Sequence, residues 1–206
     1  MSQSPDNAET QGGTKLKVLV VDDEPTLRLG FAYALSNRTT SVETAATGSI
    51  ALERIAQVNF DVMILDLRMP EMDGLGVINE LRDRGNNIHI VLCSAALSAN
   101  AALRAIRQGV VDFLPKPVRP VELRKVIEFV LRPERQSLPL ALQAARNRQP
   151  GEAIRILIAE PSPSPQAASW LNVLTAIQAA NGNDAELEEK VLHHLPRLSF
   201  SADAVP

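Results

Sequence analysis

From Lys17 onward, short apolar runs alternate with stretches in which apolar residues recur every three or four positions. The runs are KVLVV (17–21), SVETA (41–45), DVMIL (61–65), IHIVLC (88–93) and VVDFL (110–114). Several are apolar almost without interruption, as strands are when helices cover both their faces. Between them, Leu27, Phe31, Ala34 and Leu35 share one face of a first helix, and Leu52, Ile55 and Ala56 mark a second. Leu75, Ile78 and Leu81 mark a third, ended near Gly85; Ala102, Leu103 and Ile106 mark a fourth, ended by Gly109. The last carries Leu123, Val126, Ile127, Val130 and Leu131 as a single apolar stripe, and Pro120 suits its first turn. Five βα units in succession predict an α/β fold: a doubly wound, five-stranded parallel sheet with right-handed crossovers, spanning residues 16–132. Ligands of such sheets bind at the carboxyl ends of the strands.

Near Pro133 the pattern changes. Residues 133–139 read as a linker, 140–198 as a small all-α module, and 1–15 and 199–206 as flexible tails. The segment LPLALQAARNRQPGEAIRILIAEPSPSP reads helix, turn, helix, with Gly151 and Ala153 opening the second helix. SWLNVLTAIQAANGNDAELEEKVLHHLP reads the same way, with Trp170, Val173, Leu174 and Ile177 on one face. The offset of about 31 to 34 residues is near the tetratricopeptide period, and the two segments faintly resemble such hairpins. A plain helical bundle explains the same text equally well. In either case Trp170 is expected to fill the helical core.

Composition narrows the classes. Hydrophobic residues make up 45% and charged residues 22%, ordinary for a globular protein. A net charge of -3 gives no electrostatic footprint for nucleic acid or an anionic membrane. No apolar run approaches a membrane span, and the polar N-terminus lacks the apolar core of a secretory signal. A single cysteine, Cys93, fits a reducing cytoplasm.

The polar residues at strand ends carry the chemistry. Strand one ends in Asp22 and Asp23, strand three in Asp66, strand four in Ser94, and strand five runs through Phe113 into Lys116. All fall on one edge of the sheet. Two carboxylates near 4 Å repel by about 4 kcal/mol at an effective dielectric of about 20, so positive charge must gather there. Lys116 supplies one charge, and Mg2+, with its preference for carboxylate and phosphate oxygens, suits the rest. A carboxylate beside Mg2+ and a lysine is arranged to accept a phosphoryl group. A lone strand-end Asp is usually a turn or capping residue, and MDG (72–74) alone is a turn. Five polar groups in register at the strand ends outweigh that reading.

The motifs VLVVDDEP, DVMILDLRMPEMDG, CSA and DFLPKP together resemble the receiver domain of bacterial two-component response regulators, over residues 16–132. The resemblance implies a flavodoxin-like fold and a phosphoacceptor at Asp66. It implies Mg2+ ligands at Asp23, Asp66 and the Arg68 carbonyl, with Asp22 holding a metal-bound water. It gives Lys116 the phosphoryl oxygens, Ser94 the hydroxyl that moves toward the phosphoryl group, and Phe113 the aromatic that rotates with it. It further implies a sensor histidine kinase or phosphotransfer protein as donor, a downstream partner, and a surface on which family members dimerise. Phe113 stands where tyrosine is commoner, giving up a phenol hydrogen bond but keeping its apolar burial. VRPVEL lacks an acidic or hydroxyl residue before the last helix, so a weakly held helix start is expected. Arg68 and Ala96 occupy the variable positions two residues past Asp66 and Ser94. A long Arg68 at the mouth is expected to slow dephosphorylation.

Two other functions fit the sequence less well. An aspartate-nucleophile phosphohydrolase would carry a second Asp two residues after the nucleophile, where this chain has Arg68. Its nucleophile would also follow the first strand of the core, whereas Asp66 follows the third. A nucleic-acid-binding output would need a basic surface, yet residues 134–206 hold six Arg and Lys against eight acids. His193 and His194 lie beside Leu195-Pro196 at a helix end, as surface residues do, and His89 and Cys93 read as packing residues of strand four.

Overall fold

The computed structural model describes residues 15–95, 99–130, 137–146, 149–159, 170–175 and 178. Five strands, β1 (Leu16–Val21), β2 (Thr40–Ala45), β3 (Val62–Asp66), β4 (His89–Ser94) and β5 (Asp112–Pro115), form one parallel sheet in the order β2-β1-β3-β4-β5. The helices between and after them are α1 (Pro25–Leu35), α2 (Gly48–Gln57), α3 (Gly74–Asp83), α4 (Ala99–Arg107) and α5 (Pro120–Val130). The central strand β3 is buried along its whole length, which is why its sequence is apolar up to Asp66. The edge strand β2 is half-exposed and reads as a mixed TSVETA. Val21 pairs with Leu65, so the next residues on the two strands, Asp22 and Asp66, emerge side by side. The strand order reverses between β1 and β3, and such a switch point opens a crevice at the carboxyl ends.

The helix starts are set locally. Thr47 accepts from the Ile50 N–H ahead of α2, and Asp73 accepts from the Gly76 N–H at 2.7 Å ahead of α3. The expected weak start of α5 is not found. Glu122 reaches back to accept the Arg119 N–H at 2.9 Å and also pairs with the Arg119 guanidinium. That is the return half of a capping box, supplied from the third helical position instead of the cap itself. On α2, Ala56 is exposed, and Ala51 joins Leu52 and Ile55 on the core face instead. β5 begins two residues later than the apolar run VVDFL. Gly109, at φ +70°, ends α4 with its N–H on Ile106, and Val110 closes back on the Ala105 carbonyl. Val110 therefore serves the helix end, not the strand. Leu103, Val130 and Leu131 of the apolar stripes lie outside the described side chains.

Two more helices follow, α6 (Ser137–Arg146) and α7 (Pro150–Ile158), and residues 170–175 are helical. α6 starts inside the stretch read as a linker. Pro139 sits in its first turn, where a missing N–H costs nothing. α6 lies against α4 and α7 against α6. Ala141, Ala144, Ala153, Leu157, Trp170, Val173 and Leu174 join the same apolar core as the sheet. Trp170 thus fills more than a helical core: its indole N–H donates to the Val111 carbonyl just before β5. Fully burying a large apolar side chain such as that of Trp170 contributes roughly 1.5–3 kcal/mol. The second expected hairpin past Gln178, with His193 and His194, lies outside the described residues. Among those described, no helix is long and apolar enough to cross a membrane.

Candidate functional site

The switch point gathers the acids that the sequence had dispersed. Oxygens of Asp22, Asp23 and Asp66 all lie within 4.8 Å of one another. Asp22 and Asp66 are buried, and Asp23 is exposed at the rim. Lys116 bridges the buried pair, its Nζ 2.8 Å from Asp22 Oδ2 and 2.9 Å from Asp66 Oδ2. Burial alone would lower the Lys116 pKa, but its hydrogen bonds and charge contacts with Asp22 and Asp66 outweigh this and raise it. The ammonium is therefore firmly protonated.

Each group is held from behind. Asp22 Oδ1 accepts the Glu24 N–H at 2.9 Å, and Asp66 Oδ1 accepts the Arg68 N–H at 3.3 Å. The Lys116 N–H donates to the Ser94 carbonyl at 3.0 Å, tying the lysine to the end of β4, and the Lys116–Pro117 peptide is cis. Ser94 is itself buried at the last position of β4. Phe113 pairs with Leu92 and is buried on β5. Arg68 is exposed and lines a cavity of about 450 Å³ with Leu67, Met69, Pro70, Asp73 and Ala101. Ala96 lies outside the described residues. Burial pushes the Cys93 thiol well above its ordinary pKa, and burial and then Arg82 lower that of His89. Both behave as the packing residues expected.

Sequence reasoning missed two supports of the site and one contact on β5. Arg28 donates from Nη1 to the Asp22 carbonyl at 2.6 Å, fixing the turn after β1 to α1. A lone arginine in a helix carries no signal of this. Gly74 is more than a turn residue: a Cβ there would stand 2.5 Å from the Asp66 carbonyl oxygen and 2.9 Å from Leu67 Cα. The MDG text gave the glycine but not the contact that demands it. Trp170 packs on β5 from 57 residues further along the chain, its ring centroid 6.3 Å from that of Phe113.

The donor set suits a hard divalent cation. Three carboxylates and one ammonium leave two negative charges, all the ligand atoms are oxygens, and among the described residues no imidazole or thiol joins them. Residues 18–128 match the response regulator receiver domain, over more than half of the chain. The chain belongs to that family.

Relatives and folds agree. The receiver is 36% identical over 117 residues to the response regulator MprA of Mycobacterium leprae, covering 57% of this chain and 51% of MprA. The response regulator protein PilR of Pseudomonas aeruginosa is 28% identical over 183 residues, 87% of this chain and 40% of PilR. The chain thus spans about half or less of the length of these relatives. Among solved structures, the chemotaxis protein CheY4 of Vibrio cholerae aligns with a TM-score of 0.54 and 31% identity, covering 57% of this chain and all of that one. Response regulators are signalling proteins phosphorylated by histidine kinases, and their receivers bind Mg2+ at an acidic pocket of this kind.

Proposed function

We propose that Asp66 is the phosphoacceptor of a two-component response regulator and that the helices after α5 pass its state to a protein partner in the cytoplasm. The bridge from Lys116 Nζ to Asp66 Oδ2, inside an acidic cluster at the switch point, carries the reading. The donor is a phosphohistidine on a sensor kinase or phosphotransfer protein. An Asp66 carboxylate oxygen attacks phosphorus, the P–N bond breaks, and the imidazole leaves with the electron pair. No general base is required, because the attacking carboxylate carries no proton.

The remaining residues position and neutralise. Lys116 meets the phosphoryl oxygens as Asp66 gives up its own negative charge. Asp22, Asp23, Asp66 and the Arg68 carbonyl would hold Mg2+, which supplies further positive charge to the phosphoryl oxygens when bound. The Ser94 hydroxyl turns toward the phosphoryl group, and Phe113 follows into the space it leaves. The protein acts catalytically only on itself, in gaining and losing this group.

Incubation with a small phosphodonor and Mg2+, followed by intact mass, tests this. A single phosphoryl adduct is expected on the wild type and none on Asp66→Asn. An adduct that survives Asp66→Asn overturns the assignment. The acidic balance of residues 134–206 favours a protein partner over nucleic acid. A salt-dependent mobility shift with bulk DNA would overturn that choice.

A further inference from the structure

The three acids of the cluster are not held alike. Asp22 and Asp66 each accept a bond from Lys116 Nζ, and each also accepts a backbone N–H two residues on. Asp23 stands exposed at the rim, and among the described residues nothing bonds its carboxylate. Its place within 4.8 Å of the other two acids therefore depends on the main chain around it. That main chain is clamped. The Asp22 N–H donates to the Ala45 carbonyl at 3.2 Å. The Asp22 carbonyl, on the peptide that leads into Asp23, accepts from Arg28 Nη1 at 2.6 Å. The Arg28 N–H in turn donates to the Glu24 carbonyl at 3.0 Å. One residue of α1 thus grips the loop on both sides of Asp23, by its side chain before it and by its backbone after it.

The charge of Arg28 makes this position informative. A guanidinium beside a site that takes up a divalent cation repels that cation. Were Arg28 there to offset the acids, it would pair with a carboxylate. Among the described residues no ion pair joins it to Asp22, Asp23 or Glu24, and its short, charge-assisted bond goes to a backbone carbonyl instead. From this geometry we infer that Arg28 is a positioning residue for the metal: through the Asp22 carbonyl it fixes the direction of the Asp23 carboxylate and so favours Mg2+ over the larger Ca2+. This rests on the reading of the acid cluster as the Mg2+ site. Mg2+ demands near-ideal octahedral geometry at about 2.0–2.1 Å, whereas Ca2+ accepts irregular geometries at about 2.3–2.6 Å. A rim carboxylate free to swing still serves Ca2+ but serves Mg2+ poorly.

Titration calorimetry of Mg2+ and of Ca2+ on the full chain, wild type against Arg28→Met, tests this. Methionine keeps an unbranched stem and a helix propensity close to that of arginine, but has neither charge nor donor. Loss of the positive charge alone would tighten the binding of both ions. Loss of positioning does the reverse. Mg2+ binding should weaken about ten-fold, as when the partner that orients a metal ligand is removed, and Ca2+ binding should weaken less. Arg28→Gln, neutral and too short to keep the same bond, is read by the same criteria and guards against a methionine variant that fails to fold. Mg2+ binding that is unchanged or tighter, or an equal loss for both ions, overturns the inference. If Asp66→Asn weakens Mg2+ binding in the same series, the site reading survives that outcome. Equal Mg2+ affinity in wild type and Asp66→Asn overturns the site reading, and the inference falls with it.

Discussion

The two ends of the sheet use the same residue types to opposite effect. At the amino end, Lys15, Asp61, Arg124 and Glu128 line an open cavity of about 530 Å³ with their charges in balance. There Asp61 accepts the Lys17 N–H at 2.8 Å, and Arg124 donates to the Ala34 carbonyl at 2.8 Å, satisfying the last turn of α1. Asp61 and Arg124 thus each close a backbone hydrogen bond. At the carboxyl end three acids face one lysine, and Asp23 has no partner among the described residues. Charges placed for stability come in matched pairs. A surplus of one sign, held by backbone contacts, is the feature on which the proposed cation and phosphoryl roles rest.

Substitutions can break or sharpen this contrast. The largest effect belongs to Asp66→Asn, which should abolish phosphorylation and lower Mg2+ affinity at least about tenfold, the size of losing one charge-assisted contact of about 1.5–3 kcal/mol. Titration calorimetry reads the second, and unchanged Mg2+ affinity would place the cation elsewhere. Gly74→Ala forces a Cβ onto the Asp66 backbone and should cost about 1–3 kcal/mol in urea unfolding, with weakened Mg2+ binding alongside. If stability falls with Mg2+ affinity intact, Gly74 supports the fold and not the site.

Smaller effects should differ in sign between the two ends. Asp61→Ala, at the amino end, removes the acceptor of the Lys17 N–H and should destabilise by about 1 kcal/mol. Asp23→Asn, at the carboxyl end, relieves repulsion and should stabilise the metal-free protein by up to about 1 kcal/mol, a gain that Mg2+ erases for the wild type. Two substitutions of the same sign would dissolve the contrast. Glu122 lies near the carboxyl end but is paired with Arg119, so it should behave like the amino-end acids. The Arg119 side-chain and backbone hydrogen bonds lower its pKa in the folded protein. Its stabilisation is therefore present above pH 4.5, the value of a free glutamate, and is lost as pH falls below that. Glu122→Gln should flatten that part of the stability curve, at a cost of about 0.5 kcal/mol at neutral pH.

Much of this protein could be read before its fold. The period of its apolar residues fixed five βα units, because a strand buried on both faces and a one-sided helix leave different spacings in the text. The strand-end positions of Asp22, Asp66, Ser94 and Lys116 followed at once, since parallel strands put all their carboxyl ends on one edge. Signals failed where a residue served a neighbour in space. Val110 reads as strand but closes α4, and Ala56 reads as core but faces solvent. Glu122 reads as an ordinary helical acid but caps the helix.

The sequence by itself determined the sheet, its carboxyl-end acids and their shortage of positive charge, because these depend on alternation and chain order alone. Only the tertiary structure decided that Lys116 spans both buried acids, that Gly74 must lack a side chain, and that Trp170 rests on Phe113. Those facts are distances between residues far apart in the chain: 94 positions separate Lys116 from Asp22, and 59 separate Trp170 from Val111. Local patterning carries no information about such contacts, which packing alone brings into being.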